Sequence, residues 1–349
     1  MTTWIRPHVA SLQPYVPGEQ PQEAGWVKLN TNENPYLPPE VATAVAAAAT
    51  EAIRGYPDPQ CTALRSQLSV RYKLPPEAML CGNGSDELLT LAVRAAAGEG
   101  DRIVFPEPSY SLYGTLARIQ NAFPVAVPLG PDWELPVVAL GAAGGRLTLV
   151  ANPNAPTGTP YGLAEIEALA GRVEGLLLVD EAYVDFGGES ALPLLARFEN
   201  VLVLRTMSKA FGLAGMRLGY AFGAPETITA LRKVQDSYPV DRLTQVAGIA
   251  ALEQFDAVMA NAAAIATRRD RYGATLRDRF GWKVWPSAAN FLLVDTAPHP
   301  APEVFAALKA RRVLVRYFDQ PRIAGCLRIS VGGEPEMAAL VEALEGVLA

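Results

Sequence analysis

The sequence is short of the residues that build cross-links and metal centres. It holds three cysteines, Cys61, Cys81 and Cys326, which are odd in number and scattered along 349 residues. That argues against a disulfide framework and fits a reducing compartment. Two histidines, His8 and His299, both placed beside prolines and expected in loops, give no metal-ligand spacing with those cysteines, so no metal site is expected. No apolar run approaches the about 18 residues needed to cross a bilayer, and residues 1–10 carry Arg6 and Pro7 without an apolar core, so neither a membrane span nor a signal peptide is expected. The Ala-rich run 41–49 reads instead as a packed helix. Basic blocks are missing too. With a net charge of −6, nucleic acid and anionic membranes are unsuitable partners. No internal repeat stands out.

What the chain does have is alternation. Residues 1–39 are rich in proline and polar side chains and read as an extended arm, which needs a surface to lie against. A helix is expected over 40–53, broken by Gly55, Pro57 and Pro59, and helical spacing resumes from Leu64 to Tyr72. Short apolar runs then recur at 102–105, 147–150, 176–179, 201–204 and 218–222, with helical or loop segments between them. This predicts an α/β fold: a large domain with a mostly parallel sheet covered by helices on both faces. A long helical region is expected from about 224 to 280. Beyond it come two strands around Pro286-Ser287, a helix over 302–311, a strand over 313–317, a short strand over 325–330 and a last helix. The resulting division is an arm over 1–39, a large domain over 40–267 and a smaller α+β domain over 268–349.

Polar residues cluster just after the apolar runs, at the sheet edge where open α/β folds bind ligands. Thr206, Ser208 and Lys209 follow the run 201–204, with Arg217 eight residues further on. Lys209 is either a solvated surface lysine or an amine whose enclosure disfavours the ammonium form and leaves a nucleophile for an aldehyde. Arg217 supplies a donor fork suited to phosphate. An amine, two hydroxyls and a guanidinium near one strand end suit an aldehyde that also carries a phosphate, and pyridoxal 5′-phosphate is such a molecule. Gly82 and Gly84 precede a Ser-Asp-Glu helix start, which is an ordinary capped helix or an anion cradle of free N–H groups. Asp180 ends a buried run, so its carboxylate needs a partner: a structural ion pair, or a protonated pyridine nitrogen. Tyr183 is placed to donate to the ring oxygen and Tyr110 to lie on the ring face, although each tyrosine taken singly also reads as core.

Together Ser208-Lys-Ala-Phe-Gly-Leu-Ala-Gly-Met-Arg-Leu-Gly-Tyr220, Asp180-Glu-Ala-Tyr183, Asn152-Pro-Asn-Ala-Pro-Thr-Gly158, Gly82-Asn-Gly-Ser-Asp-Glu87 and Asn32-Glu-Asn-Pro35 resemble the fold-type I aminotransferases, and among them most the histidinol-phosphate branch. The resemblance runs from the arm to Arg328. It implies a cytoplasmic homodimeric enzyme of histidine biosynthesis that exchanges an amino group between histidinol phosphate and 2-oxoglutarate. It further implies that Lys209 binds the cofactor aldehyde and shuttles protons, and that Asp180 holds the ring nitrogen. Gly84, Ser85 and Asp86, with Thr206, Ser208 and Arg217, would hold the phosphate, joined by Tyr56 from a second subunit. Arg316 and Arg328 would take the substrate's anionic groups, and Tyr15 would cover the substrate. One departure stands out. The family's asparagine before Pro-Thr-Gly, which bonds the ring oxygen, is Ala155 here. Either Asn154 takes over or Tyr183 acts alone. An aromatic amino-acid aminotransferase and a threonine-phosphate decarboxylase share this frame. A ligand-sensing regulator would need a DNA-binding module, for which the proline-rich arm leaves no room.

Overall fold

The computed structural model describes residues 4–51 and 54–348. Residues 1–3, 52, 53 and 349 lie outside the described residues, and with them the start of the expected arm, the end of the helix expected over 40–53 and the last residue of the expected small domain. The arm begins with a single helical turn, α1 (Pro7–Ala10), so His8 sits in a helix rather than a loop. It then runs without regular structure to β1 (Val27–Lys28). Two helices follow, α2 (Pro39–Glu51) and α3 (Thr62–Tyr72).

Seven strands form the central sheet: β2 (Met79–Asn83), β3 (Arg102–Glu107), β4 (Phe123–Pro128), β5 (Leu147–Ala151), β6 (Leu176–Asp180), β7 (Val201–Thr206) and β8 (Leu218–Gly223). Their order is β2-β8-β7-β6-β5-β3-β4. The run from β7 to β4 is parallel, whereas β8 is antiparallel to both β7 and β2. Every residue of β5, β7 and β8 is buried, as expected of strands covered on both faces. Register brings Ala151 level with Asp180 and Asp180 level with Leu204, so the polar strand ends meet at one edge. At the other end of the order, β4 carries Pro124 and Pro128 and leaves Phe123 largely exposed.

The helix α4 (Gly84–Ala96) leaves β2 without a loop. Gly84 has φ +78°, which glycine adopts freely. Its neighbour Gly219 on β8 is pressed against this turn: a Cβ there would stand 2.5 Å from the Gly84 carbonyl carbon. Backbone cannot yield as a side chain can, so Gly219→Ala is expected to lower stability by about 1–3 kcal/mol. The check is a drop in the denaturation midpoint.

The expected helical region 224–280 is three helices, Pro225–Lys233, Arg242–Glu253 and Phe255–Phe280. Pro239 interrupts the first gap, and the Asp241 carboxylate caps the next helix by accepting from Thr244 N–H at 2.9 Å. The last two helices are bent by 80° across Gln254. The boundary expected at 267/268 falls inside the helix Phe255–Phe280. Among the described residues no single helix is long and apolar enough to cross a membrane.

A second sheet has the order β12-β13-β10-β9, made of β9 (Lys283–Val284), β10 (Phe291–Asp295), β12 (Arg316–Tyr317) and β13 (Cys326–Ser330), while β11 (Val313–Leu314) pairs in parallel with β1. The single strand expected over 313–317 is therefore two. Val313, Leu314 and Val315 are all buried, so no change in alternation marks where the chain switches partner. The arm is likewise not structureless to its end, because β1 belongs to this layer. Cys61, Cys81 and Cys326 are free and buried.

Candidate active site

A cavity of about 430 Å³ lies at the carboxyl ends of β5, β6 and β7, closed over by residues of the arm and of the second sheet. At one end stands the first turn of α4, with Ser85 and Asp86 on the cavity wall. Thr206 Oγ1 accepts from the Ser208 N–H at 3.1 Å and donates to the Leu218 carbonyl at 3.2 Å. Arg217 donates to Ser208 Oγ and to Asp86 Oδ2, each at 3.3 Å. The guanidinium lies across Gly84, where a Cβ would come within 2.6 Å of Nη2. A helix N-terminus, a hydroxyl and a guanidinium thus converge as an anion cradle.

In the middle, Asp180 is buried at the end of β6. Its Oδ2 accepts from Tyr113 OH at 2.9 Å and its Oδ1 from the Ala182 N–H at 3.1 Å. Both partners are neutral, and burial pushes its carboxyl up to about 6. Tyr110 donates to Asp86 Oδ1 at 3.2 Å, and its ring meets Tyr113 edge-on at 5.7 Å. Burial raises the Tyr110 and Tyr113 hydroxyls, so both stay neutral. Lys209 Nζ donates to the Thr31 carbonyl at 3.0 Å and lies 5.7 Å from the Tyr183 ring centre.

At the far end Arg316 and Arg328 face each other across β12 and β13. Arg328 donates to the Asn30 carbonyl at 2.8 Å, but its Nε is shut off from solvent without a partner. Burial lowers its guanidinium, the mark of a charge without a counter-ion. Phe318 lies beneath both guanidiniums at 5.3 and 5.4 Å. Tyr15 from the arm also borders the cavity, edge-on to Tyr110.

Asn154 does not line the cavity, and Tyr56, expected to act from a second subunit, lies outside the cavity of its own chain. Asn154 faces its own loop: Nδ2 donates to the Pro108 carbonyl at 3.1 Å and to Thr157 Oγ1 at 2.9 Å, and Oδ1 accepts from Ser109 at 3.2 Å. Both amide hydrogens are committed and Ala155 takes the place on the wall, so Asn154 does not stand in for the absent asparagine. The cause is the tight turn in which the Gly158 N–H bonds the Asn154 carbonyl, turning that side chain inward. Tyr56 is exposed, stacked on Tyr238 at 4.4 Å, and takes no part in the cavity of its own chain. Conversely, Asn30, Thr31, Asn32, Tyr113 and Phe318 were given no role by sequence reasoning. Asn32 belongs to the stretch Asn32-Glu-Asn-Pro35, and Tyr113 stands three residues beyond Tyr110, where it reads as core.

A family model of the class I and II aminotransferases matches residues 24–344. The chain belongs to this family. Among curated aminotransferases, the histidinol-phosphate aminotransferase of Chromohalobacter salexigens is 44% identical over 99% of each chain, and that of Geotalea uraniireducens 43% over 98% of this chain and 99% of its own. The crystal structure of histidinol-phosphate aminotransferase from Sinorhizobium meliloti in complex with pyridoxal 5′-phosphate has a TM-score of 0.91 at 29% identity, covering 99% of this chain and 98% of that one. The group bound in that aminotransferase has an aldehyde, a basic ring nitrogen and a phosphate. The cavity here offers an amine, a buried carboxylate with no cationic partner among the described residues and an anion cradle, so the donor set fits the group.

Proposed function

We propose that this chain is a pyridoxal-phosphate-dependent aminotransferase that moves an amino group between histidinol phosphate and 2-oxoglutarate, a step of histidine biosynthesis. The pair Arg316 and Arg328 carries the choice of substrate. Two adjacent guanidiniums, neither in an ion pair among the described residues, suit a phosphate dianion in one half-reaction and a carboxylate in the other. The likeness to the aminotransferases of C. salexigens and G. uraniireducens supports the same reading.

Pyridoxal phosphate, when bound, supplies an aldehyde that condenses with amines and a protonated ring that accepts electron density from the substrate α-carbon. Lys209 Nζ would hold the aldehyde and serve as the proton carrier at the α-carbon. Asp180 would hold the protonated ring nitrogen, and Tyr110 would pack against the ring. Ser85, Asp86, Thr206, Ser208 and Arg217 anchor the phosphate. Arg316, Arg328 and Tyr15 grip the substrate and exclude water. In this reading the enzyme is a cytoplasmic homodimer whose Tyr56 reaches the partner's phosphate site. Residues 40–267 form its cofactor domain, 268–349 its small domain and 1–39 its arm.

The test is glutamate formation by the loaded enzyme from 2-oxoglutarate with histidinol phosphate, phenylalanine or threonine phosphate. A kcat/KM for histidinol phosphate at least about 100-fold above phenylalanine is expected, because phenylalanine offers the two guanidiniums a single carboxylate charge in place of a phosphate dianion. Carbon dioxide released from threonine phosphate would overturn the assignment.

A further inference from the structure

The arm segment Asn30-Thr31-Asn32 lies across the cavity with its carbonyls engaged in turn by Arg328 at 2.8 Å, Lys209 at 3.0 Å and Asn290 at 2.9 Å. Asn32, at φ +57°, is buried within it. Its side chain is clamped twice: Oδ1 accepts from Ser330 Oγ at 2.8 Å, and Nδ2 donates to Tyr183 OH at 2.9 Å. Ser330 decides which way round the amide sits. Its buried oxygen already accepts the Asn32 backbone N–H at 2.9 Å, so its one proton goes to Asn32 Oδ1. The opposite orientation would leave that proton without an acceptor. Tyr183 oxygen therefore receives a hydrogen bond and keeps its own proton for another acceptor. Around it the wall is apolar, formed by Ala155, Ala289 and Phe291.

We infer that Asn32 is a positioning residue that directs the Tyr183 hydroxyl proton into the cavity, toward the oxygen substituent of the cofactor ring. The inference rests on the reading of the cavity as a pyridoxal-phosphate site. It explains how one tyrosine serves where Ala155 supplies no polar atom. A donor to that oxygen stabilises its deprotonated form and lowers the pH at which the visible absorption of the loaded protein changes. Lys209, Asp180, Asp86, Tyr110, Arg316 and Arg328 also face the cavity and are the same in every variant below.

The test is the absorbance titration of the loaded enzyme. Asn32→Gly keeps the left-handed backbone and removes the amide. It is expected to raise the titration midpoint by about half a pH unit. Asn32→Asp keeps size and backbone but presents an acceptor that claims the tyrosine proton, so the midpoint rises by about one unit. In a Tyr183→Phe background the Asn32→Gly shift disappears, whereas a merely structural role leaves it unchanged. An Asn32→Gly curve that overlays wild type, or a shift equal in both backgrounds, overturns the inference. A wild-type protein with no visible band fails earlier and removes the cofactor reading itself.

Discussion

Lys209→Ala is expected to abolish transamination, with kcat down by at least about 10⁴-fold, the upper end of what a positioned proton carrier contributes. Lys209 Nζ donates to the Thr31 carbonyl, lies near the Tyr183 ring and, among the described residues, forms no ion pair. On the proposed function, alanine at this position removes both the anchor for the aldehyde and the base for the α-carbon proton. Two measurements read the two losses apart. The visible band of the loaded protein should vanish, and the rate of a single turnover with added amino donor should collapse. A variant that keeps its colour through gel filtration would show that another amine holds the cofactor.

Asp180→Asn should act in opposite directions on the cofactor-free and the loaded protein. Burial raises the Asp180 carboxyl from 3.8 to about 6, so the fold binds its proton more tightly than the unfolded chain does. Cofactor-free stability therefore falls as pH rises from about 4 to 6. Above that window the buried charge costs up to about 3 kcal/mol. Asparagine carries no charge, so at pH 8 the cofactor-free variant should be more stable than wild type, with the gap shrinking toward pH 4. In the loaded enzyme, on the proposed function, the same change removes the partner of the ring nitrogen. Breaking a buried pair of this kind is worth about 3–5 kcal/mol, so kcat should fall by about 10³-fold. Denaturation of the cofactor-free proteins at pH 8 and pH 5, beside turnover of the loaded ones, tests both halves. A variant less stable than wild type at pH 8 contradicts the account.

The parallel core was legible because its strands are unbroken apolar runs whose polar residues begin where the strands stop. Asp180 stands directly after such a run, and Lys209 follows one within the polar stretch that starts at Arg205. Other contacts left no trace in side-chain pattern. Asn30 and Thr31 serve through carbonyls, which every residue possesses, so no side chain distinguishes them. The pairing of β1 with β11 involves two residues on each side, too few to show a period. Tyr113 resembles core because it is core: its ring is fully buried and only its hydroxyl reaches the Asp180 carboxylate. Asn154 misled because a loop residue next to the family's usual position can point the opposite way once the turn is tight.

The prolines of β4 bear on how copies of this chain can associate. The Phe123 N–H bonds the Asp101 carbonyl at 2.7 Å, which turns the odd positions of β4 toward β3 and the even ones outward. The outward positions are Pro124, Ala126 and Pro128, so one N–H remains along that whole margin. An incoming strand would find a rim almost bare of donors and could not zip onto it. This side of the molecule is guarded against runaway fibre-like growth.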